Sequence, residues 1–156
     1  GVTFTVRREQ DEADRVFIRG LNARLCGVIV APTHSGEEAE AFQDRFTASA
    51  WADETVNGAT FIAVSEHGQR LGYVNVREGV DDIADERCGY IALLAVAEDA
   101  ESGGVGRSLL HAAETWSRDM GFSRVALDVF ASNVRGRRFY ETAGFRPETL
   151  RVIKRL

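Results

Sequence analysis

Residues 92–110 have the types and spacing of an anion-binding loop. The apolar residues 92–97 are followed by a short acidic link, by three glycines within residues 103–106, and by a helical pattern with Arg107 in its first turn. The N–H groups at a helix N-terminus lack intrahelical acceptors and favour anionic oxygens, and glycines let a phosphate approach the main chain closely. A strand, a glycine loop and a helix in this order therefore predict a phosphate-binding loop, although glycines also occur in plain turns.

Charge and composition restrict the classes of partner. The net charge of −5 and the pI of about 5.3 disfavour nucleic acid, while one local basic patch is enough to hold an anionic cofactor. No apolar run approaches the ~20 residues of a membrane span, and no stretch has the pattern of a secretory h-region. Cys26 and Cys88 form neither a CxxC pair nor a disulfide framework, and the three histidines lack metal-ligand spacing. We expect no nucleic-acid partner, no membrane, no metal, and a reduced, cytoplasmic setting.

The hydrophobic pattern places the loop within an alternating series of strands and helices. Asp11 is a candidate helix cap, and Ser35 with Glu38 forms a capping-box pattern before a second helix. In chain order we predict a strand at 4–7, two helices beginning after residues 11 and 35, a hairpin of strands 59–65 and 70–77, an acidic loop at 79–87, a strand at 88–96, a helix at 106–120 ended by Gly121, a strand at 124–130, a helix at 133–143 ended by Gly144, and a strand at 148–156.

This order predicts an α/β fold. A chain of 156 residues is long enough for one domain with a proper core, and we see no linker or internal repeat. We therefore expect a single domain over residues 1–156, with a mixed sheet of about six strands and helices on both faces.

The second half of the chain resembles the GCN5-related N-acetyltransferase (GNAT) superfamily. Residues 101–106 read E-S-G-G-V-G where that family has [RQ]-x-x-G-x-[GA], and residues 127–133 read L-D-V-F-A-S-N where it has L-x-V-x-x-x-N. Residues 139–145 read F-Y-E-T-A-G-F, similar to the family's F-Y-E-x-x-G-F, and Tyr140 follows Asn133 at the usual seven-residue spacing. The resemblance implies a GNAT-like fold and an acetyl-CoA-dependent N-acetyltransferase that acts on a primary amine.

Glu101 departs from the family pattern. It stands where the family has Arg or Gln, and an anion there is mildly unfavourable beside a diphosphate. We expect its side chain to point to solvent and the affinity for the cofactor to be lowered. The loop can still bind, because in the family it holds phosphate chiefly through backbone N–H groups.

The resemblance also implies which residues would bind acetyl-CoA as the co-substrate. Backbone groups of Leu94, Ala95 and Val96 would pair with the pantetheine arm as though it were an added strand. The residues expected to hold the diphosphate are Ser102, Gly103, Gly104, Val105, Gly106 and Arg107. Asn133 would hydrogen-bond the pantetheine or a nearby water, and it is equally suited to cap the last helix.

Proton transfer needs an acid and a base, and the sequence offers candidates for both. In the family a tyrosine at the position of Tyr140 is the usual general acid, and a phenol with a pKa near 10 stays protonated at neutral pH. The alternative is an aromatic ring packed at a helix end. Asp128 matches the catalytic glutamate of ribosomal-protein N-terminal acetyltransferases and is a candidate base, or it hydrogen-bonds locally. Glu78, Asp85 and Glu86 are alternative bases that would act through a water.

The acceptor is the least determined part of this interpretation. In the family it contacts the region that corresponds to residues 25–56, where Phe42, Phe46 and Trp51 are candidates for the pocket or for the core. The acceptor is a small-molecule amine or a peptide N-terminus. A non-catalytic protein that binds or senses acyl-CoA is the alternative function. The resemblance also leaves open a homodimer, for which residues 152–156 are the candidate contact.

Overall fold

One mixed sheet organises the protein. The computed structural model describes residues 3–25, 30–52, 57–101 and 103–156, and the side chains of all of these except residues 24–25 and 49–52. The strands are β1 (Phe4–Arg8), β2 (Gly58–Ser65), β3 (Arg70–Asp81), β4 (Glu86–Val96) and β5 (Val125–Leu127). The helices are α1 (Glu12–Leu25), α2 (Gly36–Ala52), α3 (Val105–Asp119) and α4 (Val134–Thr142), with a short 3₁₀ turn at Glu98–Ala100.

The strands pair in the order in which they occur along the chain, β1-β2-β3-β4-β5. The first four are antiparallel, and β5 is parallel to β4. The predicted hairpin of β2 and β3 is confirmed. The acidic loop predicted at residues 79–87 is shorter than expected, because Gly79 pairs with Cys88 and the β3–β4 ladder continues to Asp81 and Glu86.

Local capping begins both N-terminal helices as predicted. The Asp11 side chain accepts the backbone N–H of Asp14 at 2.9 Å. Ser35 and Glu38 form a capping box, in which each side chain accepts the other's backbone N–H at 3.1 and 2.9 Å. These bonds satisfy N–H groups that have no acceptor inside the helix.

Helices cover both faces of the sheet, as predicted. On one face, Leu109 and Ala113 of α3 are fully buried against Val74 and Val76 of β3 and Ile91 of β4. On the other face, a smaller cluster joins α1 to β3 and β4 and consists of Ile18, Leu21, Tyr73 and Ala95. Burial of each large aliphatic side chain contributes about 2 kcal/mol, so these two layers supply much of the stability.

A buried carboxylate ties β1, α1 and β3 together. The fully buried Asp14 accepts Arg7 Nη1 at 2.7 Å, Arg70 Nε at 2.8 Å and the backbone N–H of Gln10 at 3.0 Å. The hydrogen bond from Arg7 is the main cause that lowers the pKa of Asp14 far below its ordinary value, against the opposing effect of burial. Asp14 is therefore ionised in the folded protein at neutral pH.

The C-terminal end differs from the prediction. The sheet has five strands rather than about six, because residues 145–156, all of which are described, form no strand. The strand predicted at 124–130 is reduced to the three residues of β5. The side chains of Leu150 and Val152 are 83% and 88% exposed. The apolar residues at the end of the chain satisfy a strand pattern, but the short β5 offers no long edge against which they could pair.

No helix in the described part of the chain combines the length and the apolar character that spanning a membrane requires.

Candidate functional site

The predicted glycine loop leads into an uncapped helix N-terminus. Gly104 is the N-cap of α3 and has a φ of +80°, a left-handed conformation that favours glycine. It has no side chain with which to cap the helix, and the N–H groups of the first turn, at Val105, Gly106 and Arg107, are available to an anion. The predicted diphosphate-binding residues 103–107 therefore lie together at one helix end, while Ser102 lies outside the described residues.

Gly106 permits close packing of α4 beside this helix end. A Cβ atom at Gly106 would lie 3.4 Å from the ring of Phe139 and 3.6 Å from Val96. The helix N-terminus, the end of β4 and the first turns of α4 are thus held against one another. Arg107 is exposed at the same end.

β4 has an unpaired edge next to the glycine loop. The parallel ladder between β4 and β5 ends at the pair Ile91–Leu127, whereas β4 continues to Val96. Within the described residues, no strand pairs with this edge over residues 92–96, which we call the open β4 edge. The predicted residues Leu94, Ala95 and Val96 all lie on it, and unpaired backbone groups of this kind accept an extended ligand as an added strand.

A bulge lies at the beginning of the open β4 edge. On the opposite side of β4, Asn75 pairs with Leu93 and Val76 pairs with Ile91, so that Ala92 has no partner on β3. An extra residue of this kind bends a strand and increases its twist. The bulge thus coincides with the position at which β4 and β5 separate.

Tyr140 lies in an aromatic group beside these elements. Its ring contacts those of Phe139 and Phe145, with centroid distances of 5.2 and 5.8 Å. Burial raises the pKa of Tyr140 above its ordinary value of 10, so that the phenol is protonated at neutral pH. Within the described residues its hydroxyl forms no hydrogen bond, and its proton is therefore available to a ligand.

Asn133 caps α4, which confirms one of its two predicted roles. Its side-chain oxygen accepts the backbone N–H of Gly136 at 2.9 Å. A Cβ atom at Gly136 would lie 2.5 Å from Asn133 Nδ2, so glycine is required for this side-chain position. The predicted contact between Asn133 and the cofactor stays a prediction.

Asp128 is joined to a residue that the sequence did not single out. The hydroxyl of Tyr90 donates a hydrogen bond to Asp128 Oδ2 at 2.6 Å. Burial is the main cause that raises the pKa of Tyr90, and the hydrogen bond to Asp128 raises it further, so that the phenol keeps its proton. Asp128 itself is exposed, which leaves its other carboxylate oxygen open to solvent or to a ligand. The parallel register of β4 and β5 brings the two residues together, and the sequence alone does not give that register.

A group of aromatic rings and one cation lies next to the Tyr90–Asp128 pair. The guanidinium of Arg77 lies 5.6 Å from the ring centroid of Tyr90 and 6.0 Å from that of Phe46. Phe46 contacts Phe42 at 5.8 Å, and Phe42 contacts Phe130 edge-on at 6.0 Å. We call these residues, with Tyr90, the aromatic cluster.

The aromatic cluster lies on the α1 side of the sheet. Arg77 shares a face of β3 with Tyr73, which packs against α1. Two of the three predicted pocket aromatics, Phe42 and Phe46, are therefore brought together with Asp128. The side chain of the third, Trp51, lies outside the described residues.

Glu101 does not point freely to solvent, contrary to the prediction. Glu101 Oε2 forms an ion pair of 2.8 Å with Arg135 Nη2, in the first turn of α4. The Glu101 side chain is only 33% exposed. The expectation was wrong because this partner lies 34 residues away along the chain and is brought near by the packing of α4 beside the glycine loop.

No cluster of three or more metal-ligating side chains is found within the described residues. Among the described residues, the site offers backbone N–H groups, an unpaired strand edge, a protonated phenol and a carboxylate. These groups suit an extended ligand that carries phosphate and a reaction that moves protons.

Comparisons with known proteins give matches both in sequence and in fold. The model of the acetyltransferase (GNAT) family matches residues 28–145. Among curated proteins, the chain is 31% identical over 99 residues to the aminoglycoside N(6')-acetyltransferase type 1 of Stenotrophomonas maltophilia. That match covers 62% of this chain and 64% of the relative, so the chain spans somewhat less than two thirds of that protein.

Solved structures share the fold. A Pyrococcus furiosus protein assigned as an acetyl transferase matches with a TM-score of 0.76 and 22% identity, over 98% of this chain and 99% of its own. The aminoglycoside N-acetyltransferase AAC(6')-Iy, solved in complex with CoA, matches with a TM-score of 0.68 and 22% identity, over 100% of this chain and 95% of its own. At this level of identity the likeness concerns the fold alone.

Proposed function

This chain belongs to the acetyltransferase (GNAT) family, and on that premise we propose that it transfers an acetyl group from acetyl-CoA to a primary amine. The observation that carries the proposal is that the open β4 edge, the uncapped N-terminus of α3 and Tyr140 meet around one hydrophobic cluster. The three features suit the three parts of the co-substrate, which are an amide-containing arm, a diphosphate and a thioester.

Each part of acetyl-CoA has a matching group in the chain. Unpaired backbone groups of Leu94 and Val96, on either side of Ala95, would pair with the amides of the pantetheine arm. The free N–H groups in the first turn of α3, at residues 105–107, would bind the diphosphate, and Gly104 allows it to approach because no side chain stands there. Asn133 would contact the arm through the side-chain nitrogen that its capping bond leaves unused.

Tyr140 would protonate the departing thiolate. When bound, the thioester supplies the acetyl group, and the amine attacks it directly within a ternary complex. The phenol of Tyr140 is protonated at neutral pH and its hydroxyl has no partner among the described residues, so that it can donate to sulfur. The burial that raises the pKa of the phenol would also raise that of a thiol beside it, which keeps the two groups close in acidity.

The acceptor would bind on the α1 side of the sheet, next to Asp128. Its ammonium must lose a proton before it attacks, and the exposed carboxylate of Asp128, held by Tyr90, would assist. The rings of Phe42 and Phe130 offer apolar contact beside it. The name of the Stenotrophomonas maltophilia relative supports a small-molecule amine such as an amino group of an aminoglycoside. A peptide N-terminus is the alternative acceptor.

We also propose a homodimer in which residues 152–156 contact a second copy of the chain. Three apolar side chains of this segment are exposed, namely Val152, Ile153 and Leu156. Sedimentation of the intact chain and of a version ending at residue 147 tests this. We expect the 156-residue chain to sediment as a dimer and the shortened version as a monomer. If both sediment as monomers, the proposed homodimer is wrong.

The first experiment measures binding of the co-substrate. Acetyl-CoA at a hundredfold excess over its Kd should stabilise the protein by about 2.7 kcal/mol and raise its Tm. Gly104→Glu places a carboxylate in front of the free N–H groups and should abolish the shift. Gly121→Glu is the matched control, because Gly121 ends the same helix, also has a positive φ and has no atom within 4 Å of an added Cβ. The proposed binding site is wrong if Gly104→Glu keeps the full shift.

The second experiment separates an enzyme from a protein that only binds acyl-CoA. Release of free thiol from acetyl-CoA is measured against a panel of aminoglycosides, simple amines and peptides with free N-termini. Turnover with an amine supports the enzyme. Binding of acetyl-CoA without turnover on any amine of the panel supports the alternative of a sensor.

A further inference from the structure

The ion pair between Glu101 and Arg135 joins the glycine loop to α4. Its atoms lie 2.8 Å apart, the Glu101 side chain is 33% exposed, and the Arg135 side chain is 80% exposed. Glu101 immediately precedes the glycines that lead to the free N–H groups of α3, and Arg135 lies in the first turn of α4, whose cap is fixed by Asn133. The pair therefore holds a cation beside the loop on which the proposed function places the diphosphate.

Stability alone gives little reason for this pair. Exposed ion pairs contribute at most about 1 kcal/mol, and ordering an arginine side chain costs entropy. A lone Glu101 would repel a diphosphate, whereas Glu101 bound to Arg135 places a guanidinium there instead. Arginine has five N–H donors in a planar fork, and the contact to Glu101 leaves most of them free for phosphate oxygens.

We propose that Arg135 is the side-chain cation that binds the diphosphate of acetyl-CoA and that Glu101 positions it. A cation beside the start of the glycine loop is thus supplied from α4, and the carboxylate of Glu101 is the anchor that orients it. This inference rests on the proposed function, because it assigns further residues to the same co-substrate site.

The effect of Glu101→Gln on acetyl-CoA binding distinguishes this proposal from simple repulsion between Glu101 and the diphosphate. If Glu101 only repels the diphosphate, Glu101→Gln tightens acetyl-CoA binding. If Glu101 positions Arg135, Glu101→Gln weakens it, by up to about fivefold. Arg135→Gln removes the cation itself and should weaken binding by about ten- to a hundredfold, the effect of one charged hydrogen bond. Binding is measured by calorimetry with acetyl-CoA.

A second ligand distinguishes contact with the diphosphate from damage to the fold. S-acetylpantetheine has the thioester and the arm but no diphosphate, so Arg135→Gln and Glu101→Gln should leave its KM unchanged. Arg118→Gln is the matched control, because Arg118 is another exposed arginine in an ion pair, in the last turn of α3. Arg118→Gln should change the binding of neither acetyl-CoA nor S-acetylpantetheine. The exchange Glu101→Arg with Arg135→Glu keeps both charges and should restore acetyl-CoA binding.

Three results would overturn the inference while leaving the proposed function intact. The first is tighter acetyl-CoA binding in Glu101→Gln, and the second is unchanged acetyl-CoA binding in Arg135→Gln. The third is an equal loss of affinity for acetyl-CoA and for S-acetylpantetheine in either variant. A wild-type protein that binds no acetyl-CoA would instead contradict the proposed function itself.

Discussion

Two tyrosines of the candidate site have raised pKa values but differ in what their hydroxyl groups contact. The hydroxyl of Tyr90 donates to Asp128, whereas that of Tyr140 forms no hydrogen bond among the described residues. A phenol whose proton is already engaged is a poor donor to a substrate. The geometry therefore favours Tyr140 as the acid and gives Tyr90 the role of holding Asp128.

Replacement of Tyr140 by Phe tests the acid directly. The change removes only the hydroxyl group, and the loss of general-acid catalysis should lower kcat by about 10²- to 10⁴-fold. The KM for acetyl-CoA should change little. Because the pKa of Tyr140 is raised, its deprotonation should cause no loss of wild-type activity between pH 7 and 9.

Tyr90→Phe is the matched control, since it removes a hydroxyl from the other tyrosine. It should leave acetyl-CoA binding unchanged and affect only the acceptor. Full turnover by Tyr140→Phe at neutral pH would show that the acid is elsewhere.

Replacement of Asp128 by Asn tests the carboxylate. The amide keeps an acceptor for the Tyr90 hydroxyl but cannot take a proton, so kcat/KM for the amine should fall at least about tenfold. Binding of acetyl-CoA and the Tm should stay close to wild type, because Asp128 is exposed. Asp119→Asn, at the exposed end of α3, is the control. Equal rates for wild type and Asp128→Asn over pH 6–9 would exclude Asp128 as the base.

Between secondary-structure elements, the space around each glycine shows how tightly the elements pack. A Cβ atom at Gly89 of β4 would lie 2.1 Å from Ser117 Oγ and 2.9 Å from Ser117 Cβ, whereas one at Gly20 of α1 would have no atom within 4 Å. Gly89→Ala should therefore destabilise the protein by about 1–3 kcal/mol through overpacking between β4 and α3. Gly20→Ala should stabilise it by about 0.5–1 kcal/mol, because alanine is the better helix former. Urea unfolding of both variants measures the two effects, and a shift of the same sign in both would contradict this packing.

Elements that depend on neighbouring residues could be predicted from the sequence. The capping box at Ser35, the Asn133 cap and the helix end at Gly121 all use bonds or conformations within a few residues, and all are confirmed. The prediction of a strand at residues 148–156 was wrong. A strand needs a partner edge, and the local apolar pattern does not show whether such an edge exists.

Site residues that depend on tertiary contact could not be predicted. The partner of Glu101 is supplied by the packing of α4, and the pairing of Tyr90 with Asp128 is supplied by the parallel register of β4 and β5. Neither of these two contacts can be read from a local sequence pattern. The glycine loop, Asn133 and Tyr140 could be located beforehand because they carry the motifs of a family.

The whole molecule depends on the ionisation of one buried carboxylate. Asp14 joins β1, α1 and β3, and its pKa in the folded protein is lowered. A lowered pKa stabilises the fold at every pH above the unfolded value near 3.8, and this contribution is lost as the pH falls through the folded pKa. Asp14 should therefore contribute to acid unfolding below about pH 4.

Asp14→Asn should destabilise the protein by about 3 kcal/mol at pH 7, because it leaves Arg7 and Arg70 without their shared carboxylate. The difference from wild type should shrink as the pH is lowered from 4 to 2. Denaturant unfolding at each pH measures it. Glu12→Gln is the control, since Glu12 also pairs with two arginines but is exposed, and it should have little effect. A difference that stays constant down to pH 2 would contradict the role assigned to Asp14.

The strand order has a consequence for how the chain is made on the ribosome. Each strand from β2 to β5 pairs with the strand synthesised just before it, so each finds its partner already outside the exit tunnel. Short sequence separation between paired strands favours fast folding. The four antiparallel strands can therefore assemble while synthesis continues, and the helix that carries Asn133 and Tyr140 arrives last. A nascent chain that stops after α3 would contain the open β4 edge and the glycine loop but not Tyr140. Such a chain could bind the co-substrate before it could catalyse transfer of the acetyl group.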